Sequence, residues 1–206
     1  MPDTKNVHQI WSDFLNPDVL RRRFLTAGLF IVAHEKLLEA IKTPLFTFFS
    51  SRWTASDGWK ESAEYRKEVL ALDPKGKSDA LRGSVRWLLE NQVIDAEDEA
   101  TVRLATEARN VFTHELSQIV SGSGQPPDFE FLFPRIVKVI VKIERWWIFN
   151  VEIAVENEFC LEGIEPNSIM PPSMLFLQVL ELVALGNEEA AWELYKKFRD
   201  SDGGNL

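Results

Sequence analysis

The apolar residues of this chain recur mainly at three- and four-residue steps, the spacing that lines one face of an α-helix. Leu20, Phe24, Ala27, Ile31, Leu38 and Ile41 form the first such stripe. Asn16-Pro17-Asp18 supplies a start for this helix and Pro44 a stop shortly after its last apolar residue. Leu45 to Asp57 is aromatic without a clear period and reads as an ordered loop with some extended backbone. A helix is expected from about Trp59 to Leu72, ended by Asp73-Pro74-Lys75-Gly76. Ser78 opens the next, with Leu81, Val85, Leu88 and Leu89 on one face. Asp95 to Asp98 offers a cap and an acidic first turn for a helix running to about Val120.

Ser121 to Pro127 (SGSGQPP) is the clearest linker. Beyond it, Asp128 to Phe159 carries Ile136-Val137-Lys138-Val139-Ile140-Val141, which has strand propensity. Pro134 suits a first helical turn, however, and the pattern runs on through Trp146, Trp147 and Ile153 without turn residues. The segment is therefore expected as a helix, apolar nearly all round and central to the core or an interface. Leu161 to Pro172 is a second break, followed by a helical hairpin, Met174 to Leu185 and Glu188 to Arg199, joined at Gly186-Asn187. Its words are similar to one tetratricopeptide unit, but no second copy exists, so a packing hairpin is the expectation. The fold predicted is all-α: an up-and-down helical bundle over residues 1–160, with a C-terminal helical hairpin over 161–206 packed on it.

With 206 residues, 45% of them hydrophobic, the chain can bury one substantial core. Cys160 is the single cysteine, which excludes an intrachain disulfide and suits a reducing compartment. The N-terminus lacks the pattern of a signal peptide, and no uninterrupted apolar run reaches the length of a membrane span. A soluble, cytoplasmic protein with no membrane partner is expected. The net charge is −9, from 32 acidic and 23 basic residues, so any contact with nucleic acid has to rest on a local basic patch.

The residues that can carry chemistry lie in Glu107-Ala108-Arg109-Asn110-Val111-Phe112-Thr113-His114. This is Arg-x4-His with an Asn directly after the Arg, on an expected helix, preceded by a helix that ends Val85-Arg86-Trp87-Leu88-Leu89-Glu90. Over about Ser78 to Val120 the arrangement resembles the HEPN superfamily, whose members carry an R-x4–6-H motif, often with a polar residue after the Arg. The resemblance implies a helical bundle of HEPN type. It also implies a metal-independent endoribonuclease that acts as a homodimer, uses no cofactor and belongs to a toxin–antitoxin or antiphage defence system. In such a system an antitoxin protein would be a further partner. HEPN ribonucleases build one composite cleft from two chains and leave a 2′,3′-cyclic phosphate and a 5′-hydroxyl.

At about 100° per residue, Asn110 and His114 share a helix face, and Arg103, Glu107, Ser117 and Gln118 fall on the same polar side. Arg109 lies at the margin, so its side chain has to reach round to meet His114. Cleaving RNA without a metal needs proton transfer from the 2′-hydroxyl and to the leaving 5′-oxygen, with positive charge beside the phosphorane. His114 would transfer protons, Arg109 would grip phosphate oxygens, and Asn110 would orient the phosphate or the imidazole. Arg103 and Glu107 would support them. One motif histidine per chain is a single proton-transfer group, which is why two copies are needed. Read without the family, Arg109 is a structural arginine and His114 an exposed surface residue. A non-catalytic HEPN-type module that binds a protein partner is the alternative function.

Other constellations fall short. Gly76-Lys77-Ser78 resembles the end of a P-loop, but Ala71 stands where the first Gly is required. His34-Glu35 begins an H-E-x-x-H, but position 38 is Leu38, so there is no zinc pair and no metal is expected. His34 and Glu35 flank the apolar stripe of their helix and read as satisfied polar groups of the core. Arg21-Arg22-Arg23 reads as a solvated turn, and Trp146-Trp147 as core or interface anchors. His8 has no context, and the aromatic loop and tail show no polar constellation for a small ligand.

Overall fold

The computed structural model describes residues 4–50, 53–54, 58–152, 166–186 and 188–202. The fold is all-α, as the periodicity predicts: its helices make a bundle, and the only extended pairing among the described residues is a two-residue antiparallel ladder. No helix among the described residues is long and apolar enough to cross a membrane. The elements in order are α1 (Thr4–Leu15), α2 (Pro17–Phe49), β1 (Trp53–Thr54), β2 (Gly58–Trp59), α3 (Ala63–Glu68) and a 3-10 turn (Leu70–Leu72). Then follow α4 (Ala80–Glu90), α5 (Ala96–His114), α6 (Leu116–Ser121), α7 (Phe129–Trp147), a π turn (Ile148–Glu152) and a 3-10 turn (Pro166–Ser168). The chain closes with α8 (Pro172–Ala184) and α9 (Glu188–Asp202).

Helix α2 is the spine. The Asn16 side chain accepts from the Asp18 backbone N–H and Pro17 takes the first helical position, so the expected start holds. The expected stop at Pro44 does not. The helix continues to Phe49 because its last turns are anchored on three neighbours. Leu45 is fully buried. Phe46 meets Tyr65 of α3 edge to face at 5.2 Å, Phe48 packs on Trp147 of α7, and Phe49 on Trp87 of α4. Such packing outweighs the backbone hydrogen bond that a mid-helix proline removes. The aromatic stretch read as loop is thus partly the end of α2, where the Ser50 hydroxyl donates to the Phe46 carbonyl.

The next expected helix is also shorter than its pattern suggests. Trp59 belongs to β2, paired with Trp53. Ser62 caps α3 by accepting from the Tyr65 N–H, and the chain tightens to a 3-10 turn at Leu70. That turn lies against α4 at Gly83, where an added Cβ would collide with the Val69 carbonyl oxygen. Asp73 organises the connection. Its buried carboxylate accepts from the backbone N–H groups of Lys75, Lys77 and Asp79, and from Arg82 at 2.7 and 2.9 Å. The Arg82 guanidinium, with these backbone donors, holds the Asp73 carboxyl far below the usual carboxylate range. Asp79 caps α4, one residue beyond the expected start, and Ser78 takes a left-handed conformation (φ 53°) just before it.

Helix α5 begins with a capping box formed by Asp95 and Asp98. Lys142 of α7 donates to Asp95 at 2.7 Å and to Asp98 at 2.5 Å, clamping α7 onto the first turn of α5. The expectation of one helix to Val120 is corrected: the backbone leaves helical geometry at Glu115 and resumes as α6, which Gly122 ends in the left-handed region.

Helix α7 is central, as expected, with Ile136, Ile140 and Ile143 fully buried against α2, α5 and α8. It is shorter than expected, since its α-turns give way to the π turn after Trp147, and the expected stretch from Ile153 to Phe159 lies outside the described residues. Pro134 stands inside this helix and not in its first turn, because Asp128 caps one residue before Phe129. Helices α8 and α9 form the expected hairpin through Gly186 (φ 81°). Leu177 of α8 is fully buried, and the Ser173 hydroxyl donates to Glu144 of α7 at 2.6 Å, so α8 packs onto the bundle.

Candidate functional site

Every residue singled out by the motif lies on α5, and Phe112 decides which way each faces. Its ring is buried against Phe30 of α2, with centroids 4.9 Å apart. With Ala105 and Ala108 also buried, this fixes the rotation of α5 about its own axis. Arg103, Glu107, Asn110 and His114 then point to solvent, and all four are exposed. Arg103 and Glu107 approach to 3.6 Å as an exposed i,i+4 pair. The side chains of Asn110 and His114 have no hydrogen-bond partner among the described residues. His114 ends the helix, immediately before the break at Glu115.

Arg109 turns the other way. Its half-buried guanidinium runs toward α2 and comes within 3.8 Å of the Glu35 carboxylate. The buried Nε has no hydrogen-bond partner. The structure therefore brings Arg109 together with Glu35, and the expected reach round to His114 within one chain is not made. The Phe30–Phe112 contact turns the Arg109 side of α5 toward α2, where Glu35 stands.

Beside this pair lies His34, which is 3% exposed. Its Nε2 is 3.4 Å from the Thr106 hydroxyl of α5, and its Nδ1 is 3.8 Å from Glu35 but has no hydrogen-bond partner. His34 is thus only partly satisfied, which departs from the expected core polar group. Burial pulls its pKa below the ordinary histidine value, and the Arg109 charge adds to this, while Glu35 acts in the opposite direction. Arg109, Glu35, His34 and Thr106 make one polar seam between α2 and α5. The motif reading missed this seam, because only the packing of the two helices joins residues so far apart in the chain.

On the other flank, α4 and α5 enclose an open groove of about 860 Å³, and Arg103, Thr106 and Glu107 stand along it. Among the described residues, no three His, Cys, Asp or Glu side chains are grouped to hold a metal ion. Arg21 pairs with Asp18, while Arg23 reaches Asp13 and the Val120 carbonyl, so two of the three consecutive arginines tie helices or turns together. Trp146 and Trp147 form a cluster with Trp87 and Phe48, as the anchor reading expected. No family model matches the chain, and neither a curated protein nor a solved structure does.

Proposed function

We propose that this protein is a metal-independent endoribonuclease of HEPN type, acting as a homodimer in the cytoplasm. The observation that carries the reading is the pairing of Asn110 and His114 on one exposed face of α5, both unpartnered, with the Arg109 backbone adjacent. An imidazole left free in one chain is a group available to a substrate or to a second copy. Two such helices facing each other bring two imidazoles to one phosphate. One His114 takes the proton of the 2′-hydroxyl as that oxygen attacks phosphorus, and the partner's His114 gives a proton to the departing 5′-oxygen. The products are a 2′,3′-cyclic phosphate and a 5′-hydroxyl. Arg109, held by Glu35 at a distance too long for a tight ion pair, is free to swing its guanidinium onto a phosphate oxygen. The HEPN resemblance extends the proposal to a toxin or antiphage defence role with an antitoxin partner, for which a neighbouring antitoxin gene is the direct evidence to seek.

Purified protein incubated with RNA in EDTA tests the proposal. Cleavage should leave cyclic phosphate ends and fall by ~100-fold or more in His114→Ala and in Arg109→Ala, the scale of a lost proton-transfer group or charge stabiliser. Cleavage that survives both substitutions would remove the proposal. One observation favours a second reading, a non-catalytic module that binds a protein partner: Arg109 is already engaged by Glu35 in a chain of net charge −9. In that case RNA stays intact with wild-type protein as well.

A further inference from the structure

An acidic chain that handles RNA needs a local surface that gathers exposed cations. The groove between α4 and α5 has this character. Four cationic side chains line it: Lys75, Arg82, Arg86 and Arg103. Arg82 is committed to the buried Asp73 and is part of the scaffold. The other three are exposed. Lys75 is exposed and its ammonium has no partner among the described residues. Arg86 pairs with Glu90 and Arg103 with Glu107, both as i,i+4 contacts along their own helices with more than half of each arginine side chain exposed. Exposed pairs of this kind are worth only a few tenths of a kcal/mol, so a phosphate displaces the carboxylate readily. Asp79 and Glu99 line the groove, as Glu107 does. Asp79 is spent on the α4 cap and on Arg82, which leaves Glu99 as the one opposing charge without a cation in contact.

The floor of the groove is aliphatic, from Leu81, Val85 and Val102. Such a floor accepts a base by apolar contact but offers no ring to stack on and no fixed pattern of donors, so binding there is governed by phosphate contacts and tolerates any sequence. The groove also has a direction. Arg103, Glu107, Asn110 and His114 stand at i, i+4, i+7 and i+11, a single stripe along α5 that rises about 16 Å from the groove to the exposed histidine.

We propose that the α4–α5 groove binds the phosphate backbone of single-stranded RNA to one side of the scissile bond, with Lys75, Arg86 and Arg103 as its contacts. This rests on the ribonuclease reading of Asn110 and His114. The groove delivers the strand along α5, and its cations supply the affinity that the net charge of the whole chain opposes.

The test is binding of a short fluorescent oligouridine to full-length His114→Ala protein, followed by anisotropy as the salt concentration is raised. Each phosphate contact on a single strand contributes about 0.7 to the slope of log K against log [salt], so three contacts give a slope of about −2. Arg86→Gln/Arg103→Gln in the same background should reduce it to about −0.7, and adding Lys75→Gln should abolish it. These side chains are exposed, and an unchanged melting temperature verifies that the variants fold. A slope that the substitutions leave unaltered overturns the proposal, as does an absence of binding. Saturation by ATP without binding of the oligouridine also overturns it, since the groove would then be a site for free nucleotide. The two readings fail separately: cleavage by the wild type with an unaltered slope removes the groove alone, and a slope that falls as stated without any cleavage removes the nuclease alone.

Discussion

His34 is the residue whose surroundings make the sharpest demand on its protonation state. It is buried, faces the Arg109 charge, and has one ring nitrogen without a partner. A histidine with a depressed pKa binds fewer protons folded than unfolded below the ordinary value of 6.5, so the protein loses stability as pH falls through and below that value. Thermal melts between neutral and mildly acidic pH should show this decline, and His34→Gln should flatten it over the same range. A decline of equal size in the variant would assign it to other groups. Gly83 makes a second demand. A methyl group there meets the Val69 carbonyl, so Gly83→Ala should cost about 2 kcal/mol and lower the melting temperature by several degrees. Of these residue-scale features, the motif Arg109-Asn110-x-x-x-His114 is readable in the chain itself, and its exposed face follows from helical spacing. The link from Arg109 to Glu35 is not, because residues on two separate helices become neighbours only once the Phe30–Phe112 contact sets the helices face to face.

At the scale of elements, the caps are where reading and structure agree best. Asn16 and Asp95 each accept from backbone donors at the start of a helix, as short polar side chains at such positions do. Breaks are less legible. Pro44 marks a stop by its own chemistry, yet α2 runs on because Leu45, Phe46, Phe48 and Phe49 all find partners that no local rule anticipates. Leu45→Ala should therefore cost about 3 kcal/mol, a core penalty that a loop residue would not show, with urea unfolding as the measurement. The joint between α5 and α7 is electrostatic. The Lys142 ammonium and the neighbouring backbone donors lower the Asp95 pKa to about 2 from its ordinary 3.8. A depressed carboxylate gives stability that is complete above its unfolded pKa and is lost as pH falls through the folded value. Acid unfolding of Lys142→Met should accordingly be less steep between about pH 4 and pH 2 than that of the wild type.

For the whole molecule, helical periodicity was enough to place the bundle and the hairpin, since an apolar stripe on each helix has few ways to hide except against other helices. What periodicity could not convey is the surface that stays uncovered. Leu175, Phe176, Val179 and Val183 of α8 remain exposed, with Trp192 and Tyr195 on α9. In α1, Trp11 and Leu15 are exposed as well. Sedimentation at rising protein concentration should report a dimer, as the ribonuclease reading requires, and a protein that stays monomeric at the concentrations where it cuts RNA would contradict it. A mixed-subunit experiment sharpens this. Adding an excess of His114→Ala protomers to the wild type should suppress its activity if each cleft needs the histidine of both chains, and leave it unchanged if each chain works alone.

The ring of Phe112 sits in sequence between the arginine and the histidine, and it acts as the key in a lock. Because Phe30 seizes it from α2, the shaft of α5 cannot roll, and one turn of the key aims the arginine inward and the histidine outward together. A smaller side chain at that position would loosen the lock and misdirect both functional groups at once, although it touches neither of them.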